Sequence, residues 1–191
     1  MRIISGSARG SQIFAPRGRD TRPTQDRVRE SLFNILQGDV PGATVLDLFA
    51  GSGALALEAV SRGAHRAVAV DHAQDAVVCI QRNIAKLGFG DRMEVLSCDW
   101  RQGVQRLRGL EVQFDLVFLD PPYAMNTEGV CQSLADAGLL QEGALLVVEH
   151  RKGMRPALEE PFAWRRTRGY GDTEISLFDY TATHQEAWEE S

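Results

Sequence analysis

A carboxylate, two prolines and an aromatic ring follow one another at Asp120-Pro121-Pro122-Tyr123, directly after the apolar run Leu116-Val117-Phe118-Leu119. Such a run reads as a buried strand, and the prolines end it. Proline fixes φ and donates no hydrogen bond, so the carbonyls of Asp120 and Pro121 are held outward in a rigid turn. The corner offers acceptors and a stacking surface at a strand's C-terminal end. That set suits a planar group bearing an exocyclic NH2. Asp120 and the Pro121 carbonyl each accept one amino hydrogen, and Tyr123 stacks on the ring. Held so, the nitrogen lone pair leaves conjugation and can be aimed at an electrophile. Taken alone, the tetrapeptide has a blander reading, as punctuation between a strand and a loop, because Pro-Pro often ends strands.

A second constellation lies upstream. Gly51-Ser52-Gly53-Ala54-Leu55-Ala56 fits G-x-G-x-x-G/A between the strand-like Val45 to Phe49 and a helical stretch from Ala54 to Ser61. Asp71 follows 20 residues after Gly51, where an acid can hold ribose hydroxyls. By itself this pattern suits a nicotinamide dinucleotide as well as any other nucleotide, or a tight turn with no ligand. Asp71 could instead cap the next helix. Asp99, after a third strand, is readable as a contact to an adenine amino group or as a loop acid. Two features weigh against a dinucleotide. Asp47, at the end of the first strand, would repel a pyrophosphate yet position an ammonium group. The Asp-Pro-Pro-Tyr corner has no evident role in hydride transfer. S-adenosylmethionine, with ribose hydroxyls, no phosphate and an amino-acid tail, fits both.

The elements that must position these residues alternate strand and helix from Ala43 onward, the pattern of an α/β layer with a parallel sheet. Strands are expected at Val45 to Phe49, Arg66 to Val70, Met93 to Ser97, Leu116 to Leu119 and Leu145 to Glu149. Helices are expected at Ala54 to Ser61, Ala73 to Leu87 with Gly88 as its cap, around Gly103 to Leu107, and at Glu128 to Ala137. The fourth strand should lie beside the first across the switch point, where ligands bind in such sheets. Upstream, Ile3-Ile4 and Ile13-Phe14 flank a glycine-containing turn and read as a small hairpin. Arg22-Pro23-Thr24 leads into a helix with Thr24 as its N-cap. Val28, Leu32, Ile35 and Leu36 should face the core, with Arg27 and Arg29 away from that stripe. Near the end, Trp164 to Arg168 and Ile175 to Tyr180 read as a hairpin about Gly169-Tyr170-Gly171-Asp172. The expected organisation is a basic hairpin and helix over 1–41, a catalytic domain over 42–180 and an acidic, disordered tail over 181–191.

At 191 residues and 43% hydrophobic composition, the chain can bury a sizeable core. No apolar run is long enough to cross a bilayer, and Met1 to Gly6 has no signal-peptide character. Cys79, Cys98 and Cys131 are odd in number and widely spaced, and His65, His72, His150 and His184 show no ligand spacing. A reduced cytoplasm and no metal are expected. Net charge is −5, unevenly spread: seven arginines against three acids put residues 1–30 at +4, leaving −9 elsewhere. A basic arm on an acidic catalytic body has this signature, as does a solvated N-terminus.

Taken together, Asp47-Leu48-Phe49-Ala50-Gly51-Ser52-Gly53, Ser61-Arg62-Gly63-Ala64 and Asp120-Pro121-Pro122-Tyr123 resemble the bacterial guanine-N2 methyltransferases of small-subunit (16S) ribosomal RNA. So do Arg22-Pro23-Thr24, the helix Asp26 to Leu36 and Tyr170-Gly171-Asp172-Thr173, so that the likeness runs from about Arg2 to Tyr180. The resemblance implies a Rossmann-like class I methyltransferase sheet of about seven strands, the last antiparallel, with helices on both faces and a small N-terminal hairpin and helix. It implies S-adenosylmethionine as cofactor, lined by Asp47, Phe49, Ala50, Gly51, Ser52, Gly53, Asp71, His72, Asp99 and Trp100. Asp120, Pro121 and Tyr123 would orient the guanine, and Arg9, Arg22, Thr24 and Arg27 would meet RNA, the arginines through phosphates. The implied partner is 16S ribosomal RNA within a partly or fully assembled small subunit, met by a monomer. Two departures stand out: Asp71 replaces the glutamate usual in relatives, and Ser11-Gln12 replaces a more basic pair. Rival readings are an adenine-N6 or other amino-methyltransferase acting on DNA or protein, a nicotinamide oxidoreductase, and a non-catalytic RNA-binding assembly factor.

Overall fold

Strands buried on both faces must be apolar almost throughout, and this chain's runs are of that kind. The computed structural model describes residues 1–16, 23–122 and 124–182, the side chains of Pro23 and Thr24 excepted. The elements are α1 (Pro23–Ile35), β1 (Thr44–Asp47), α2 (Ala54–Ser61), β2 (Arg66–Asp71), α3 (Gln74–Leu87), β3 (Met93–Ser97), α4 (Trp100–Arg108), β4 (Phe114–Leu119), α5 (Thr127–Asp136), β5 (Leu140–Arg151), β6 (Phe162–Tyr170) and β7 (Thr173–Tyr180). They form one seven-stranded sheet in the order β3-β2-β1-β4-β5-β7-β6. The first five strands of that order run parallel, and β7 is antiparallel to both its neighbours. The expected fold is therefore the one found. The order in which strands are added reverses between β1 and β4, which are parallel, hydrogen-bonded neighbours with Asp47 beside Phe118. Among the described residues no helix is long and apolar enough to cross a membrane.

Side chains alternate along each strand, so the sheet carries two cores. On one face Val45, Ala67, Leu116, Phe118, Val147 and Leu177 pack against α1, α2, α3 and the N-terminal hairpin. On the other, Leu46, Val68, Val117, Leu119, Val148 and Phe178 pack against α4 and α5. The hairpin is real: Arg2 bridges Gln12, and Ile3 and Ile13 are buried in the first core. The closing hairpin turns on Gly171 and Asp172, and its Tyr170 hydroxyl lies 2.9 Å from Ser31 Oγ on α1.

Glu58 anchors the N-terminal segment. It is fully buried on α2, where its carboxylate accepts from Ile4 N at 2.8 Å, Ser5 N at 3.0 Å and Arg62 Nε at 2.7 Å. Arg29 Nε lies 3.6 Å from the same carboxylate, and its guanidinium also donates to the Arg2 carbonyl and pairs with Asp26. Arg29 is thus 5% exposed, not on the solvent side of α1 as its spacing suggests. A buried arginine is tolerable because a buried glutamate faces it. Ser61 and Gly6 complete the joint. The Ser61 carbonyl accepts from Ser7 N, and a Cβ on Gly6 (φ 84°) would stand 1.8 Å from that carbonyl oxygen.

Other boundaries shift. α1 begins at Pro23, which places Thr24 inside the first turn instead of at the cap; proline suits that first position, where its missing N–H costs nothing. α4 is longer than expected because Asp99 caps it, accepting from Arg101 N and Gln102 N. β1 stops at Asp47, since Leu48 and Phe49 already belong to the turn. β5 starts five residues before the expected Leu145, passing through Gly143 at φ 77° where its register with β4 shifts. The expected disordered tail lies outside the described residues from 183 onward.

Candidate functional site

Four strands of this sheet carry a carboxylate at or just beyond their C-terminal ends: Asp47 on β1, Asp71 on β2, Asp120 after β4 and Glu149 on β5. Asp47 is the deepest. It is 3% exposed, and its Oδ2 accepts a long hydrogen bond from Ala56 N at 3.4 Å. Burial raises its pKa to about 7; the Ala56 N–H opposes this, and the charges of Asp120 and Asp71 add to it. A carboxylate in that position wants a cation.

Asp71 holds the glycine loop. Its Oδ2 accepts from Gly51 N at 2.8 Å and its Oδ1 from Ala73 N at 2.9 Å. It thus spans the two readings left open by spacing, tying the loop while starting α3. Ala50 is buried and donates to the Val70 carbonyl, and Phe49 packs partly into the second core. Gly53 stands at φ 74°, immediately before α2, with space for a Cβ limited by Ile80 at 3.1 Å. A residue with a side chain would be strained there. Ser52 Oγ reaches Met1 Sδ at 3.6 Å, and its carbonyl accepts from buried Asn83.

Beyond β2, His72 is 79% exposed, with Nδ1 3.9 Å from Asp71 Oδ1. Asp99 is exposed and spends Oδ1 on the α4 cap. Trp100 follows it into the second core, with its Nε1 buried and without a hydrogen-bond partner among the described residues. Pro121 is buried and Asp120 exposed at the mouth. Tyr123 lies outside the described residues. On the arm side, Arg9 and Arg27 are exposed and line a cleft of about 410 Å3 with Arg2, Asp26 and Glu30. Arg22 and the Thr24 side chain lie outside what is described.

Glu149 escaped the sequence reading as a site residue. Leu119 pairs with Val148, so Asp120 and Glu149 follow side by side on adjacent parallel strands. Burial raises the Glu149 pKa to about 7, with the like charge of Asp120 adding to it. The signal was present: Leu145 to Val148 followed by an acid repeats the pattern of Leu116 to Leu119 followed by Asp120. Glu58 and Asn83 were missed too. An isolated acid in the otherwise small and apolar Ala54 to Ser61 marks a buried partner. Asn83 accepts from Phe14 N at 2.8 Å and donates to the Phe14 and Ser52 carbonyls.

The mouth can therefore attract a cationic ligand beside a loop with close backbone approach, next to a corner of acceptors. It opposes phosphate, which carries the wrong charge. Known proteins agree with this architecture. The putative rRNA methyltransferase YlbH of Bacillus subtilis is 34% identical over 180 residues, covering 93% of this chain and 98% of that protein. Ribosomal RNA small subunit methyltransferase D of Escherichia coli is 38% identical over 150 residues, 78% of this chain and 74% of that one. The solved structure of the putative methyltransferase yhhF from Escherichia coli superimposes with a TM-score of 0.84 at 30% identity, over 95% of this chain and 98% of that chain. The family model for conserved hypothetical protein 95 matches residues 1–179. The chain belongs to that family, the one that holds the ribosomal RNA small subunit methyltransferase D proteins.

Proposed function

We propose that this protein is an S-adenosylmethionine-dependent methyltransferase of ribosomal RNA, and that its acceptor is the exocyclic N2 of one guanine in the 16S RNA. The observation that carries the reading is the placement of Asp47, deep and electrostatically short of a cation, beside the Asp120 corner across the β1–β4 reversal. S-adenosylmethionine brings an ammonium group, a sulfonium and an activated methyl. Asp47 would hold the ammonium. Asp71 and the loop from Phe49 to Gly53 would take the ribose side, with His72, Asp99 and Trp100 around the adenine. The relatives' names support ribosomal RNA as the substrate.

Asp120 and the Pro121 carbonyl would accept the two N2 hydrogens, and Tyr123 would stack on the base. Bound there, S-adenosylmethionine would supply the activated methyl, and the corner would hold the N2 lone pair in line with it, so that the nitrogen is cationic once methylated. The cationic nitrogen loses one proton to water or to Asp120, so Asp120 need not be a strong base. Catalysis is mainly positioning. Exposed Arg9 and Arg27 would hold RNA phosphates, and Arg22 and Thr24 are proposed for the same task from the sequence alone. A cytoplasmic monomer meeting the small subunit during assembly fits this reading.

Asp120→Ala tests it. Methyl transfer should fall by about 100- to 10,000-fold while cofactor affinity changes less than threefold. Turnover that survives the substitution would remove the corner from the mechanism.

A further inference from the structure

We propose that Glu149 is the specificity-determining residue that reads the guanine, accepting its N1–H while Asp120 and Pro121 hold N2. This rests on the guanine reading above and deepens it. Guanine carries two adjacent donors on its Watson–Crick edge, N1–H and one N2–H. A site that aims methyl at N2 must place an acceptor for the amino group, and the neighbouring N1–H then points about one hydrogen-bond length to the side. The strand register supplies a second carboxylate in that direction, because Glu149 follows Val148 on β5 as Asp120 follows Leu119 on β4.

The surroundings agree. Glu149 lines a cleft of about 130 Å3 with Pro121, Pro122 and Met125, on the flank of the corner. Adjacent strands lie about 4.8 Å apart, a spacing within which two side chains can contact neighbouring atoms of one base. Glu149 pairs across the sheet with Ile175, which belongs to the first core, so its side chain leaves the sheet on the face that also holds Asp47. Its burial is opposed by charge: Asp120, the group that acts on Glu149 among the described residues, is a like one. A donor arriving from a base would relieve that burial. Adenine presents an acceptor at N1 and would face the ionised carboxylate with a lone pair, so the same residue rejects it once the pH is above the Glu149 pKa of about 7.

The test changes the base and the residue together. The methylated guanine is first located with the wild-type protein, and the RNA is then made with 2-aminopurine at that position. This base keeps the 2-amino group but has a bare N1. Wild type should prefer guanine by about 10- to 100-fold in kcat/KM, the loss expected when a buried acceptor goes unpaired. Glu149→Gln, whose amide both accepts and donates, should shrink that preference to about threefold or less. A purely structural role would slow both substrates equally and leave the ratio unchanged. The inference is overturned if wild type does not discriminate, or if the variant keeps the wild-type ratio. Wild-type discrimination needs no altered protein, so a variant that misfolds does not protect the proposal. If the wild-type product from guanine is not N2-methylguanosine, the underlying function has failed instead, and nucleoside identification separates the two cases.

Discussion

Asp47 puts function and stability in opposition. Its folded pKa of about 7 exceeds the ordinary 3.8 because burial penalises the charge. At low pH both folded and unfolded chains hold the proton, and no penalty exists. As pH rises above about 4 the unfolded chain releases it first, so stability falls until the folded group ionises near pH 7, then levels off. The cost above that point is about 4 kcal/mol. Asp47→Asn should therefore be more stable than wild type at pH 8 and nearly equal to it at pH 4, as thermal melts at the two pH values would measure. The same variant should bind S-adenosylmethionine about 10- to 100-fold more weakly at pH 8, the loss of a charged contact. Wild-type cofactor affinity should rise with pH through about 7, because the ammonium is held by the ionised form. A variant no more stable at pH 8, or an affinity independent of pH, would contradict the role given to Asp47.

The N-terminal hairpin and α1 meet the sheet through one buried acid. Removing Glu58 leaves buried Arg29 with Asp26 as its one remaining acidic partner among the described residues and orphans the amides of Ile4 and Ser5. Glu58→Ala should cost about 3–5 kcal/mol, a fall in Tm of roughly 10 °C for a domain of this size. Amide hydrogen exchange should rise first in residues 3–13. Unchanged exchange there would show that the apolar contacts of Ile3 and Ile13 suffice. This joint also marks the boundary of what could be read from the chain. The strands were legible because burial on both faces makes them continuous apolar runs, and the reversal between β1 and β4 followed from handed α/β connections. Arg29 was not, because its partner lies 29 residues away on another helix and periodicity registers only its own. The first part of β5 was hidden by Gln141, Glu142 and Gly143, exposed residues that read as a loop and stand where the register with β4 shifts. Glu149 was read as the end of a strand; its meaning needed the register with β4.

At the scale of the whole molecule, charge is divided by task. The first 30 residues carry +4 and the rest −9, and the strand ends gather Asp47, Asp71, Asp120 and Glu149 around one mouth. On the proposed reading, phosphate would be drawn to the arm and repelled from the mouth, so that an uncharged part of a nucleic acid would enter. An extruded base meets that requirement while its flanking phosphates stay on the basic side. The decisive measurement is transfer of labelled methyl from S-adenosylmethionine to naked 16S RNA, unmethylated small subunits and duplex DNA, with the labelled nucleoside identified after digestion. N2-methylguanosine from RNA or subunits, with little label in DNA, is the expected result. Label in methyladenosine, or none in any acceptor despite cofactor binding, would contradict the guanine assignment.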